Sequence, residues 1–236
     1  MGQIMENCVF IAPGDTPLGG ALAEEADKFG YRIISTTEQA AAAETATEAA
    51  ASTAAQTADP LDQDISSTLT VEWTRRSLLS ARNAVLAGLN ASGRIDLSIV
   101  IHESVPDQKP THELAPVDIE RQIDSTQKGS FYLLRELLAC YVRQKSGRLA
   151  MVQYAPGEFT ALPLCAAAAA AFRGATDALF TLYQNEDIII NGFESTREDP
   201  DGFARHIFQT LEAKAVHGKW YRFGSIGRQP KSWLRN

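Results

Sequence analysis

Apolar residues along the 236-residue chain fall into short unbroken runs that alternate with longer stretches of helical spacing. Cys8 to Ala12 is such a run, and it ends in Pro13-Gly14-Asp15-Thr16-Pro17, which is turn chemistry, so a buried strand is predicted there. Leu18, Ala21, Leu22, Ala26 and Phe29 then share one helical face, Gly30 provides a stop, and Tyr31 to Ser35 predicts a second strand. The unit repeats down the chain. Helical spacing covers Val71 to Asn90, Val117 to Lys145, Leu164 to Gln184 and Gly202 to Ala215. Each is followed by a strand pattern, at Asp96 to Ile101, Arg148 to Gln153, Asp187 to Asn191 and Trp220 to Phe223. The segment from Thr36 to Asp64 is rich in Ala, Thr, Glu and Gln, and both a helix and a loose surface excursion remain open for it. Such alternation predicts an α/β fold: one doubly wound domain over residues 1–236, with a parallel sheet of about seven strands and helices on both faces.

Composition narrows the function classes. The chain is 44% hydrophobic and 22% charged, which is globular, and 22 Lys plus Arg stand against 29 Asp plus Glu, a net charge of −7. No basic excess draws it to nucleic acid or to an anionic membrane. Cys8, Cys140 and Cys165 are scattered, so neither a disulfide framework nor a zinc site is expected, and a reducing cytoplasm is. No secretory leader and no apolar run of about 18 residues is present, so a soluble cytoplasmic protein is expected. His102, His112, His206 and His217 lack ligand spacing, and no metal is expected. Alanine contributes 35 residues, concentrated in Gln39 to Ala58 and in the unbroken run Ala166 to Ala171, where side chains carry packing and no chemistry.

In a doubly wound sheet the first strand-to-helix turn normally carries glycines that admit a pyrophosphate to the helix N-terminus. Here Val9 to Glu24 resembles, without a gap, the opening strand, Thr-Gly-x-x-x-Gly-x-Gly turn and helix of the short-chain dehydrogenase/reductase family. The resemblance runs through most of the chain and implies a Rossmann-like domain. It places the family's three glycines at Pro13, Pro17 and Gly19, so only the third survives, and both prolines oppose dinucleotide binding. Asp64-Ile-Ser resembles the Asp-Val-Thr that ends the third strand and holds the adenine. The ribose-selecting position after the second strand becomes Ser35-Thr36-Thr37, the Asn-Asn-Ala-Gly loop becomes Val100-Ile101-His102-Glu103, and the later Pro-Gly falls near Glu194-Ser195-Thr196.

The family's chemistry is hydride transfer coupled to proton transfer, with a tyrosine as acid or base, a lysine that tunes it, a serine on the substrate oxygen and an asparagine supporting a relay water. The resemblance puts Thr126 at the asparagine, Tyr154 at the serine, Cys165 at the tyrosine and Ala169 at the lysine, so no catalytic set remains. Only 26 residues separate Asn191 from Gly218, room for one sheet-packing helix and none for the family's substrate lid. The assembly elements are retained. Phe131, Tyr132, Leu138, Tyr141, Ala168, Phe172, Trp220 and Trp233 are the interface candidates, the last in the basic tail 225–236.

The expectation is a subunit of a degenerate type that binds no cofactor itself and supports a catalytic paralogue of the same family, which holds NAD, in a heterodimer or heterotetramer. Two alternatives stand beside it. One is an atypical enzyme using Tyr154, Cys165 or Glu158 in the same cleft, and the other is a regulatory protein that binds a metabolite.

Overall fold

The structure is a computed structural model and describes residues 7–38, 68–104, 109–157, 163–213 and 215–224. Its elements are, in order, β1 (Cys8–Ala12), α1 (Pro17–Lys28), β2 (Arg32–Thr37), β3 (Thr68–Glu72), α2 (Leu78–Ser92) and β4 (Leu97–Glu103). Next come α3 (Pro116–Ile123), α4 (Gly129–Gln144), β5 (Gly147–Tyr154), α5 (Pro163–Leu182), β6 (Ile188–Ser195), α6 (Pro200–Glu212) and β7 (Lys219–Phe223). The seven strands form one sheet in the order β3-β2-β1-β4-β5-β6-β7, with every pair parallel. The sheet is covered on both faces, as the alternation of elements predicts.

Two-sided burial divides each strand's side chains between two cores. Val9 and Ile11 of β1 join Leu18 and Leu22 of α1 and Phe203 and Phe208 of α6 on one face. Cys8, Phe10 and Ala12 point the other way, to Val85 of α2, Leu137 and Tyr141 of α4 and Phe172 of α5. The helix starts are locally encoded: Thr16 Oγ1 accepts from Gly19 N at 3.1 Å, Ser77 Oγ from Ser80 N at 3.2 Å, and Asp199 Oδ1 from Gly202 N at 2.8 Å. Pro17, Pro116 and Pro200 occupy first-turn positions, where a missing N–H costs no helical bond.

The long helix expected from Val117 to Lys145 is compound: α3 passes into a π-helical turn, Asp124–Lys128, and continues as α4 with right-handed backbone at both junctions. The helix expected from Val71 begins only at Leu78, because Val71 belongs to β3 and pairs with Thr36 of β2. The third strand therefore starts at Thr68, after Asp64, so Asp64-Ile-Ser does not end that strand; Glu72 and Trp73 occupy its end. Asp64 itself, most of the Thr36 to Asp64 segment, Glu158 and the 225–236 tail with Trp233 lie outside the described residues. Between β6 and β7 the described chain forms one helix, α6. No helix among the described residues is long and apolar enough to cross a membrane.

Tyr141 joins α4 to the sheet. It is wholly buried, its hydroxyl donates to the Arg148 carbonyl at 2.9 Å, and it shares a 2.6 Å hydrogen bond with Ser98 Oγ. Gly147 lies against the ring so closely that a Cβ there would stand 2.2 Å from a ring carbon. One turn on, Gln144 bonds Ile95 through both its carbonyl and amide, at 3.1 and 2.9 Å. Tyr141→Phe leaves Ser98 and the Arg148 carbonyl short of a buried partner and is expected to cost about 1–2 kcal/mol. Urea unfolding checks this as a lower midpoint at unchanged slope.

Candidate functional site

The strand ends that face ligands in an open α/β sheet converge here on the turn between β1 and α1. Gly14 N donates to the Thr36 carbonyl at 2.7 Å, and a Cβ on Gly14 would run into Ser35 Oγ at 1.8 Å. Asp15 Oδ2 accepts from Glu38 N at 2.9 Å. The turn is thus closed against the end of β2 rather than held open beside it. Pro17 opens α1 without an N–H, Gly19 N is taken by Thr16 Oγ1, and Gly20 N by the Thr16 carbonyl at 2.9 Å. Gly19, the surviving glycine of the resemblance, is required sterically: a Cβ there would lie 2.6 Å from the Pro13 carbonyl oxygen.

Charge gathers around this turn from residues that are distant in sequence. Arg75, just after β3, pairs through Nε with Glu38 Oε2 at 3.3 Å and stacks over Trp73 at 5.7 Å. Burial pushes the Glu103 carboxyl up, against the opposing pull of the Thr16 hydroxyl and the Arg75 guanidinium. The four residues Val100 to Glu103, which the resemblance matches to the family's Asn-Asn-Ala-Gly loop, are the last four of β4, so the strand expected to end at Ile101 runs two residues further, and the first three of the four are buried. His102 stacks on Phe172 of α5 with centroids 5.2 Å apart and an interplanar angle of 24°, and its Nε2 has no hydrogen-bond partner among the described residues. Burial, reinforced by Arg75, lowers its pKa to about 4, so the ring is neutral at physiological pH.

The four positions that the resemblance assigns to the reaction lie on three different elements. Thr126 lies in the π-helical turn and its hydroxyl donates to the Gln122 carbonyl at 2.6 Å, while its own carbonyl accepts from Ser130 Oγ at 2.7 Å. Tyr154 is directed to the α1–α6 face, where its ring meets Phe203 at 5.8 Å. Burial and then the charges of Glu103, Asp199 and Glu198 raise its pKa, which opposes use as a base. Cys165 and Ala169 are carried by α5, the helix whose Phe172 joins the core opposite to that of Tyr154. Cys165 is buried and not in a disulfide. Among the described residues no group of three or more His, Cys, Asp or Glu is arranged to hold a metal ion.

Of the interface candidates, Tyr141, Leu138, Ala168 and Phe172 are buried within this chain, because their positions on α4 and α5 face the sheet. Burial spends most of their surface on this chain's own core. Tyr132 is partly buried against the same core, and Trp220 is engaged within the chain. Its Nε1 donates to Asp177 Oδ1 at 2.6 Å and Arg173 lies 4.3 Å above its ring. Arg173 and Arg222 both bind the Glu194 carboxylate, tying α5 to β6 and β7. Phe131 stays 57% exposed on α4, beside a shallow groove that Ala168, Ala171 and Phe172 line from α5. Arg75, Glu38 and the His102–Phe172 stack are not singled out by the sequence, which holds no local signal that these positions meet.

A family model described as short chain dehydrogenase matches residues 7–197. Among solved structures, the chain is similar to a short chain dehydrogenase from Bacillus anthracis str. 'Ames Ancestor', with 18% identity over 93% of this chain and 95% of that one, and a TM-score of 0.72. It is also similar to a 3-ketoacyl-(acyl-carrier-protein) reductase from Brucella melitensis complexed with NADH, with 13% identity over 92% and 96% of the two chains and a TM-score of 0.69. No curated protein matches.

Two outcomes test this geometry. His102 has a folded pKa of about 4 against an ordinary 6.5, so the unfolded chain binds the extra proton first. Its share of stability is present above pH 6.5, falls as the pH drops toward 4, and amounts to about 3 kcal/mol. His102→Leu should flatten that part of the curve of unfolding free energy against pH. Gly19→Ala forces α1 away from the turn and should lower stability by about 1–3 kcal/mol, read as a drop in Tm.

Proposed function

The chain belongs to the short chain dehydrogenase family, and from that premise we propose that it is a catalytically inactive subunit that supports an active, NAD-dependent paralogue. The observation that carries this reading is the state of the four reacting positions. Thr126 is spent inside its own helix, Tyr154 is turned to the α6 face, Cys165 is buried, and Ala169 has no charge to offer. No two of them form the tyrosine and lysine pair on which the family's proton transfer depends.

The cofactor side agrees. A dinucleotide pyrophosphate needs free amides at the first turn, yet those of Gly14, Gly19 and Gly20 are bonded internally and Pro13 and Pro17 have none. Among the described residues, Asp15, Glu38 and Glu103 bring carboxylates to the same turn, and Arg75 brings a guanidinium. The residues present do not fit NAD, and no hydride transfer is assigned to this chain. In the complex, hydride acceptance belongs to NAD held by the partner.

The faces through which the family assembles are retained: α4 exposes Phe131, and α5 exposes the small side chains of Ala166, Ala167 and Ala170. The reading extends to a complex of the type of the heteromeric 2-[hydroxy(phenyl)methyl]succinyl-CoA dehydrogenase of anaerobic toluene degradation, with this chain as its non-catalytic subunit and a 3-hydroxyacyl-CoA-type substrate for the whole. The partner is thus a short-chain dehydrogenase, in a heterodimer or heterotetramer.

Co-expression with the short-chain dehydrogenase encoded nearest to this chain tests the reading. The two should co-purify at fixed stoichiometry, the complex should oxidise a 3-hydroxyacyl-CoA with NAD, and the isolated chain should neither bind NADH nor turn over. Tight NADH binding or turnover by the isolated chain overturns it.

A further inference from the structure

We infer that Glu103 is a built-in counter-anion: carried by β4 to the entrance of α1, its carboxylate keeps phosphate groups away from the first turn. This rests on the reading that the chain binds no dinucleotide, and it assigns that exclusion to one side chain beyond the two prolines. Strand register sets the placement. Ala12 of β1 lies beside Val100 of β4, so the three residues of β4 beyond Val100 run alongside the Pro13–Thr16 turn. Glu103 is the last of them, and its carboxyl interacts with the hydroxyl of Thr16, the residue that caps α1.

A helix start attracts negative charge, and a carboxylate that reaches it from within the chain takes the place a ligand's phosphate would need. The neighbouring acids are otherwise committed. Asp15 is tied to the Glu38 amide and Glu38 to Arg75, both on the β2 side of the turn. Arg75 also faces Glu103 but is shared with Glu38, so among the described residues at this turn one guanidinium serves two carboxylates. Glu103 is only partly buried and stands at the end of β4, in register with Tyr154 of β5, so its charge can be removed without opening the core.

The test uses the full chain without a partner, titrated by calorimetry with ADP, adenosine and NADH. Glu103→Gln keeps the shape and removes the charge, and it should tighten ADP binding by at least about tenfold. Glu186→Gln, an exposed carboxylate at the opposite edge of the sheet, should change nothing. The wild-type chain supplies a measurement that needs no variant: adenosine should bind at least as tightly as ADP. A Glu103→Gln chain with native circular dichroism that gains no ADP affinity overturns the inference, as does a wild-type preference for ADP over adenosine. Tight NADH binding by the wild type overturns instead the reading under which the chain has no cofactor.

Discussion

A parallel sheet buried on both faces must send alternate side chains of every strand into two separate cores, and that two-residue period governs the rest of this molecule. Along β5, Leu149 and Met151 enter the core under α4 and α5, while Ala150, Val152 and Tyr154 enter the core under α1 and α6. Tyr154 is therefore withdrawn from the helix that carries Cys165 and Ala169, whatever the chemistry of its hydroxyl. The same alternation turns His102 of β4 toward α5, where it stacks on Phe172. A position that resembles a cofactor loop in sequence becomes a core contact in space.

At the C-terminal edge of the sheet, the chain's own groups occupy the positions that an open ligand site would leave free. The first turn satisfies its own amides and closes on β2. Carboxylates from three separate strand ends surround it. Arg173, Glu194, Arg222 and Trp220 lock α5 to β6 and β7, so the helix is held by the chain's own side chains. Gly19 persists through these changes because its constraint is the approach of α1 to the Pro13 carbonyl, which exists with or without a phosphate.

Much of the fold is legible in the sequence because its signals are local. Thr16 before Pro17, Ser77 before α2 and Asp199 before Pro200 announce helix starts through side-chain oxygens placed next to free amides. The third strand is not legible, because Thr68 to Glu72 lies between the long polar segment and a helical pattern that overlaps Val71, and only pairing with β2 settles it. The apolar anchors of α4 and α5 are legible as large side chains but not as facing inward. Spacing gives a helix an apolar stripe, and it does not say whether the stripe meets a sheet or another protein. Tyr141 is the clearest case, since its burial depends on Gly147 lying beneath the ring at the start of the next strand.

The amino-acid sequence by itself determined the α/β alternation, the family resemblance, and the expectation from that resemblance that Thr126, Tyr154, Cys165 and Ala169 stand at the reacting positions. These are properties of residue identity and local spacing. Only the tertiary structure decided that Tyr154 and the His102–Phe172 stack lie on different faces of the sheet, that Arg75 and Glu38 meet, and that Glu103 arrives at the start of α1. Each depends on strand register and on which face a side chain takes. Those are set by pairing between segments far apart in the chain, where local pattern carries no information.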